Sequence, residues 1–191
     1  MTAAFELPLT VRRPQRADAR RNFDALLAAA RDAFAEQGTD ASLEDIARRA
    51  NVGIGTLYRN FPTRQDLFMS VYIGGVEELC QAAHGLEVET LEPWEAFAAW
   101  VVRFTDYVAT KLAMKEALGK DSEMFRTCRR AMVAASEPLF KRAQDAGAIR
   151  GDIDFDDVLR MISGIVAASY VSDEQRDRVL AIALDGLRAT R

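Results

Sequence analysis

Apolar residues recur with a helical period along most of the chain, and no stretch shows the alternation of a β-strand. The clearest pattern lies in residues 42–61. Its first part places apolar residues at i, i+3, i+4 and i+7: Leu43, Ile46, Ala47 and Ala50. After a break at residues 51–53, we expect Leu57 and Phe61 to point inward from a second short helix. Two short helices joined by a tight turn predict a helix-turn-helix, whose second helix enters the major groove of DNA.

Polar and special residues mark the ends of these two helices. Ser42 stands at the N-cap position of the first, with Asp45 three residues later in a weaker form of the capping box. Gly53, in the break, can take backbone angles that are closed to other residues. Pro62 ends the second helix because it disfavours helical angles at Phe61.

Longer helices are predicted on both sides of the motif. The first spans about 20–37, with Gly38 as its C-terminal cap. The second spans about 64–84 and leads into a loop over 85–91. The pair Gly74-Gly75 in its middle leaves two interpretations open, a bend or close packing against a neighbouring helix. Each Gly costs about 0.5–1 kcal/mol relative to Ala inside a helix.

The rest of the chain also has a helical pattern. Pro93 opens one helix, and a segment over 122–146 contains Pro138, which we expect to kink or restart it. Asp154 begins a helix to about residue 170, and Ser172 with Gln175 predicts a full capping box for the last helix, ending near 188. The predicted fold is therefore all-α, with nine or ten helices.

The first three helices are expected to share one small core. Its members are Phe23, Leu27, Phe34, Leu43, Ile46, Val52, Leu57 and Phe61. This predicts an N-terminal three-helix helix-turn-helix domain, followed by a larger helical domain.

Charge is distributed unevenly over the 191 residues, although the net charge is −4. Residues 1–64 carry ten Arg and eight Asp+Glu, whereas residues 65–191 carry 15 Lys+Arg and 21 Asp+Glu. Five of the arginines lie within ten positions ahead of the first helix: Arg12, Arg13, Arg16, Arg20 and Arg21. A basic arm beside a helix-turn-helix is typical of a phosphate-seeking surface. The alternative is a solvated, disordered tail without function.

The sequence gives little support for a membrane protein, a disulfide-bonded protein, a metalloprotein or an enzyme. No apolar run approaches the length of about 18–20 residues that spans a membrane, and the N-terminus does not resemble a signal peptide. Cys80 and Cys128 form no CxxC pair, which favours free thiols and a cytoplasmic location. The single His84 has no catalytic neighbours, and no metal-ligand cluster or phosphate loop is visible, so we expect no cofactor and no enzymatic activity. The rival hypothesis is a helical ligand-binding protein or enzyme with an incidental helix-turn-helix.

Residues 20–68 resemble the DNA-binding end of the TetR family of bacterial transcriptional regulators. The similarity is carried without a gap by LLAAARDAFAEQGTDASLEDIARRANVGIGTLYRNFPTRQDLF, residues 26–68. Beyond this segment, the chain matches the family only in length, helix number and the turn between Gly147 and Asp154. The resemblance implies a DNA-binding regulator, usually a repressor, that is released from a near-palindromic operator by a small-molecule effector.

The family's DNA contacts carry over onto matching positions of this chain. The implied DNA-binding residues are Ser42, Ile54, Gly55, Thr56, Tyr58, Arg59, Asn60 and Arg64. The ring of Tyr58 suits a thymine methyl group and its hydroxyl a phosphate, while Gly55 permits close approach to the groove floor. Arg59, Asn60 and Arg64 would contact phosphates. Many members have an aromatic residue or His at the position of Asn60, and Lys at that of Arg64.

The predicted partners are a double-stranded DNA operator and a second copy of this chain. One recognition helix reads few base pairs, so specific binding requires two of them, spaced by about one helical turn. As in the family, the last two helices, about 155–188, are expected to form the dimer contact. The alternative for their apolar stripes is an intramolecular core. Those stripes are Val158, Ile162, Ile165, Val166, Ser169 and Tyr170, and Val179, Ile182, Ala183, Gly186 and Leu187.

Family members hold an effector in the middle helices, which here are rich in Met and aromatic residues that suit an apolar or flat ligand. The implied pocket residues are Trp100, Phe104, Tyr107, Met124, Phe125, Cys128, Met132 and Met161. Plain core packing is the alternative for each of them. The resulting domain organisation is a disordered basic arm at 1–16, a DNA-binding domain at 17–66 and an effector-binding and dimerisation domain at 67–191.

Overall fold

A computed structural model of the chain describes residues 11–88, 90–113 and 123–189. These residues form eight α-helices and one 3-10 turn at Gly38–Asp40, and their only β-type pairing is an isolated bridge between Ile149 and Arg188. The helices are α1 Ala17–Gln37, α2 Leu43–Arg49, α3 Ile54–Asn60, α4 Arg64–Val88, α5 Pro93–Ala113, α6 Glu123–Asp145, α7 Phe155–Ala167 and α8 Asp173–Leu187. The all-α prediction is confirmed, while the eight helices described are fewer than the nine or ten expected.

Helix α6 runs through Pro138 without a restart. Proline removes one backbone donor and costs about 3 kcal/mol or more inside a helix. Here Ala135 and Leu139 on either side of it are buried, while Pro138 itself faces solvent. Burial of the apolar face on both sides therefore keeps the helix in one piece.

Helix α4 extends past His84 to Val88, so the loop predicted to begin at Gly85 begins later. Leu86, one residue beyond Gly85, is buried. Arg142 of α6 donates from Nη1 to the carbonyl of Glu87 at 2.9 Å and from Nη2 to the carbonyl of Leu86 at 3.4 Å. These bonds satisfy carbonyl groups that a helix end leaves without partners.

The chain divides into two compact units. The first comprises the described parts of Met1–Glu77 and Thr110–Arg129, and the second those of Glu78–Ala109 and Arg130–Arg191. In the first unit, the rings of Phe23 and Phe61 lie 4.9 Å apart and those of Phe34 and Phe68 stack at 4.3 Å. These pairs join α1 to the end of α3 and to α4.

Six of the eight predicted core residues of the helix-turn-helix domain are buried, and two are not. Leu27 and Val52 are only half-buried, whereas Leu26 is fully buried. The inward stripe of α1 passes through Phe23, Leu26 and Ala30 at i, i+3 and i+7, which turns Leu27 toward its flank.

The second unit is built around an aromatic cluster. Trp100 stacks on Phe104 at 5.2 Å and lies 5.6 Å from Phe155, which in turn lies 5.5 Å from Phe140. The indole N–H of Trp100 donates to the carbonyl of Leu79 at 3.3 Å. Buried aromatic residues from α5, α6 and α7 thus form the core of this unit.

The predicted caps on α7 and α8 form to different extents. Asp154 and Asp157 make a reciprocal capping box at the start of α7. At α8, Ser172 accepts from the backbone N–H of Gln175, but the Gln175 side chain accepts from the N–H of Val171. The full box predicted there is therefore only half formed.

Candidate nucleic-acid interface

Helix α2 is fixed on α1 by Arg49. Its two terminal nitrogens donate to the Glu36 carboxylate at 3.0 and 2.8 Å, and its Nε donates to Asp45 at 2.7 Å. The hydrogen bond from Arg49 is the main reason why the pKa values of Glu36 and Asp45 lie below their ordinary range. This network links α2, the helix that precedes α3, to the end of α1.

The turn between α2 and α3 depends on Asn51 rather than on Gly53. Asn51 has φ 54°, a left-handed conformation that Asn tolerates better than most residues. Its N–H donates to the carbonyl of Arg48 and that of Val52 to the carbonyl of Ala47, each at 3.0 Å, which is the Schellman pattern of helix ends. Gly53 does not use the conformational freedom that glycine offers, because its φ of −72° and ψ of 149° are ordinary extended values.

Ser42 caps α2 as predicted. Its Oγ accepts from the N–H of Asp45 at 3.2 Å and donates to Oε2 of Glu44 at 3.0 Å. A phosphate at this position would therefore compete with Glu44 for the hydroxyl proton. The role of Ser42 in binding DNA stays a prediction.

Helix α3 presents two large apolar side chains to solvent. Ile54 is 37% exposed and Tyr58 is 47% exposed, while Leu57 on the opposite face is buried. A Cβ added to Gly55 would meet nothing within 4 Å, so the surface there is open. The side chains expected to approach the bases therefore lie together on the outward face of this helix.

Arg59 and Asn60 fold back onto their own helix. Arg59 donates from Nε to the carbonyl of Gly55 and from Nη2 to Oγ1 of Thr56, both at 3.1 Å. Asn60 donates from Nδ2 to the carbonyl of Thr56 at 2.8 Å. Contact with phosphate would require these side chains to exchange bonds.

Arg64 serves the fold in a way that the sequence did not indicate. Its Nη1 donates to the carbonyls of Thr39 and Ala41, at 2.9 and 2.7 Å, and so holds the connection between α1 and α2. The predicted phosphate contact would have to use the remaining nitrogens of the guanidinium.

A surface depression lies along α2 and the turn into α3. It is lined by Glu44, Ala47, Arg48, Asn51, Val52, Gly53 and Ile54.

The arginine-rich segment is only partly as predicted. Arg12, Arg16 and Arg20 are exposed and form no ion pair within the described ranges. Arg21 pairs with Asp18. Residues 1–10 of the predicted arm lie outside the described residues, but residues 11–13 lie against α4 instead of forming a disordered tail.

Glu77 holds that segment, and sequence reasoning missed it. It accepts hydrogen bonds from the backbone N–H of Val11 at 2.7 Å and from Arg13 at 2.8 Å. The position of Glu77 in the sequence could have indicated this role, because it continues the inward stripe of Leu67, Val71 and Gly74 on α4. A carboxylate at such a position requires hydrogen-bond donors from elsewhere in the chain.

The predicted effector residues belong to both units. Four are buried and four half-buried; the buried ones are Trp100, Phe104, Cys128 and Met132, and the half-buried ones are Tyr107, Met124, Phe125 and Met161. Phe125 packs edge-on against Tyr72 at 4.8 Å. For Trp100 and Phe104 the contacts are those of a packed core, and a ligand role for any of the eight stays a prediction.

The stripes predicted to form a dimer contact differ in exposure. Val158 and Ile162 of α7 and Leu187 of α8 are buried inside the protomer. Ile182 of α8, by contrast, is 71% exposed, and Val171 in the connection before α8 is 94% exposed. Part of each predicted stripe is therefore intramolecular core, while the open apolar surface consists of Ile182 and of Val171, which lies outside both stripes.

The described residues show no grouping of three or more His, Cys, Asp or Glu side chains that could bind a metal ion. None of their helices is both long and apolar enough to cross a membrane.

Comparison with known proteins gives consistent results over both parts of the chain. Residues 26–71 match the family described as bacterial regulatory proteins, tetR family, and residues 92–189 match the C-terminal domain of the SbtR-like transcriptional regulators. The crystal structure of a TetR transcriptional regulator from Streptomyces coelicolor is 44% identical, with a TM-score of 0.77, covering 88% of this chain and 99% of that one. A TetR transcription regulatory protein from Mycobacterium vanbaalenii is 32% identical, with a TM-score of 0.72, covering 92% of this chain and 100% of that one. The ketosteroid regulator KstR2 of Mycobacterium tuberculosis, at 20% identity and a TM-score of 0.58 over 94% of this chain and 100% of that one, shares the fold.

Proposed function

Because the chain belongs to the TetR family and is a DNA-binding transcriptional regulator, we propose that it is a repressor that binds a near-palindromic operator as a homodimer and is released by a small-molecule effector. The main observation in support of DNA recognition is the outward face of α3. Ile54 and Tyr58 are exposed there on a helix of seven residues that is stabilised only by its neighbours.

The chemistry of that face suggests how operator DNA is read. Ile54 and the Tyr58 ring offer apolar contacts to thymine methyl groups, and Gly55 leaves room for the groove floor. Few hydrogen-bond donors face the bases, so phosphate contacts by Arg59 and neighbouring cations are expected to supply much of the affinity. Sequence preference then rests in part on DNA shape.

Dimerisation through α7 and α8 is supported by the surface that they leave open. Ile182 and Val171 are exposed apolar side chains, and a Cβ added at Gly164 or Gly186 would meet no atom within 4 Å of it. Small residues beside apolar ones allow two helix pairs to approach closely in a four-helix bundle. A second copy of the same surface would cover them.

An apolar or aromatic effector is proposed on the composition of the middle helices, which are rich in Met and aromatic residues. The effector releases DNA only to the extent that it binds more tightly to the conformer whose recognition helices are wrongly spaced.

The direct experiment is selection of duplexes from a random pool by the purified protein, followed by measurement of affinity for the selected duplex by fluorescence anisotropy. We expect a sequence with two-fold symmetry, with half-sites about one helical turn apart, and binding that weakens steeply with salt. A pool that emerges without a shared sequence would contradict specific operator recognition. Screening apolar and aromatic compounds for release of the selected duplex then tests the effector.

A further inference from the structure

Glu77 of α4 is a buried carboxylate, with only 4% of the residue exposed. Its Oε1 accepts a hydrogen bond of 2.7 Å from the backbone N–H of Val11, and its Oε2 accepts one of 2.8 Å from Nη1 of Arg13. Both oxygens are thus engaged by one short segment. A buried carboxylate without such donors is strongly disfavoured, so Glu77 and the segment hold each other in place.

Two further contacts fix the same segment. The Val11 side chain is buried, and its Cγ2 lies 3.9 Å from the point where a Cβ on Gly74 would stand, so it packs close to the backbone of α4. Arg13 also donates from Nε to Asp24 of α1 at 3.1 Å. Residues 11–13 are therefore attached to both α4 and α1 ahead of the first helical turn.

The anchored segment leads directly into a set of exposed basic side chains at the start of α1. Arg20 lies three residues before Phe23 on α1, and the Phe23 ring lies 4.9 Å from that of Phe61, immediately after α3. Arg12, Arg16 and Arg20 are exposed and form no ion pair within the described ranges. Phosphates line both sides of a helix that lies in the major groove, within the reach of arginine side chains.

We propose that Glu77 is a positioning residue for DNA binding: it anchors residues 11–13 so that Arg12, Arg16 and Arg20 form a second phosphate-contacting surface beside α3. The inference rests on the proposed function, because it needs a DNA partner. Arg13 belongs to the anchor and not to the phosphate-contacting surface, since its guanidinium is shared between Glu77 and Asp24.

The test compares Glu77→Gln with Glu78→Gln, which removes the same charge at the neighbouring exposed position. Binding to the duplex selected by the wild-type protein is measured between about 50 and 200 mM salt. We expect Glu77→Gln to weaken binding at least tenfold at the lower salt and to reduce the slope of log affinity against log salt by about three, one for each of the three arginines. Glu78→Gln should match the wild type in both.

Combining Glu77→Gln with substitutions of the three arginines distinguishes a positioning role of Glu77 from a general loss of structure. The triple variant Arg12→Ala, Arg16→Ala, Arg20→Ala should lose the same part of the salt slope, and adding Glu77→Gln should then cause no further loss. A full additional loss in the quadruple variant, or a wild-type slope in Glu77→Gln, would overturn the proposal. If Glu77→Gln does not fold, Arg13→Met opens the anchor from the other side and is subject to the same criteria.

Trypsin digestion reports on the anchor without DNA. Cleavage after Arg12 and Arg16 should be faster in Glu77→Gln and Arg13→Met than in the wild type and Glu78→Gln, and equal rates would contradict the anchor. If the wild type selects no duplex, the proposed function itself fails. If it does and Glu77→Gln binds like the wild type, only the positioning role fails.

Discussion

Nη2 of Arg59 donates a hydrogen bond of 3.1 Å to Oγ1 of Thr56, so two of the side chains expected to face DNA are bonded to each other. The same guanidinium donates to the carbonyl of Gly55. A phosphate oxygen carries a negative charge, whereas the two acceptors that Arg59 uses here are neutral, so a phosphate is the stronger acceptor for a guanidinium. Arg59 can therefore leave Thr56 for a phosphate, and Thr56 is then released to face the groove.

Replacing Arg59 by Ala should weaken binding to the selected duplex by about tenfold and lower the salt slope by about one, because one phosphate contact is lost. Anisotropy titrations across a salt series measure both quantities. Arg103→Ala, on the exposed surface of α5, removes the same charge from a helix outside the helix-turn-helix and should change neither. An unchanged slope in Arg59→Ala would show that this arginine does not contact phosphate.

Two substitutions at Tyr58 separate the contributions of its ring and its hydroxyl group. Tyr58→Ala should cost about 1–3 kcal/mol of binding free energy if the ring contacts a thymine methyl group. Tyr58→Phe keeps the ring and should lose only a hydrogen bond to phosphate, about 0.5–1.5 kcal/mol. Because Tyr58 is 47% exposed, the melting temperature should stay close to that of the wild type in both variants. Equal affinities for the wild type and Tyr58→Ala would exclude the residue from the interface.

The turn of the helix-turn-helix predicts opposite responses at two neighbouring positions. Asn51→Ala should destabilise the protein by about 1–2 kcal/mol, because alanine is disfavoured at positive φ, whereas Asn51→Gly should be nearly neutral. Gly53→Ala should be tolerated, since the glycine has an ordinary φ and open space around it. Urea unfolding gives these free energies. A larger loss in Gly53→Ala than in Asn51→Ala would contradict this description of the turn.

Acid should weaken the attachment of α2 to α1. The pKa values of Glu36 and Asp45 are lowered in the folded protein, chiefly by the hydrogen bond from Arg49. Their contribution to stability is therefore complete above the ordinary carboxylate range near pH 4 and is lost as the pH falls through the lowered values. The difference in unfolding free energy between the wild type and Arg49→Met should shrink over that interval. A difference that stays constant from neutral pH to about pH 3 would argue against the network.

A charge placed on the open part of α8 should separate the proposed dimer. Ile182→Asp puts a carboxylate on a side chain that is 71% exposed in the protomer, so the fold should survive while association is lost. Sedimentation velocity measures the change from dimer to monomer. Ala134→Asp, on the exposed surface of α6, is the matched control. A dimer that persists in Ile182→Asp would place the contact elsewhere.

Local patterns were sufficient to predict most of the helices. The apolar spacing around Leu43 and Ile46, the cap at Ser42 and the stop at Pro62 act within a few residues, so they can be read directly from the sequence. The end of α4 could not be read in this way. Burial of Leu86 and the bonds from Arg142 carry that helix past Gly85, and both depend on another helix.

Part of the candidate site could likewise be predicted from local spacing, and part could not. The outward positions of Ile54 and Tyr58 follow from the helical period once Leu57 is taken as inward. The structural role of Arg64 depends on carbonyl groups more than twenty residues away, and Glu77 is linked to Val11 across 66 positions. Neither partner can be identified from local spacing, since many residues of the chain could supply a donor or a carbonyl.

The contact between Glu77 and residues 11–13 makes the segment ahead of α1 a part of the folded structure. A shortened chain that begins after Arg13 would lose both donors and leave the buried carboxylate of Glu77 without the hydrogen bonds and the counter-charge that they supply. Val11 is thus an interior residue although it lies ahead of the first helix, and trimming it is equivalent to a substitution in the core.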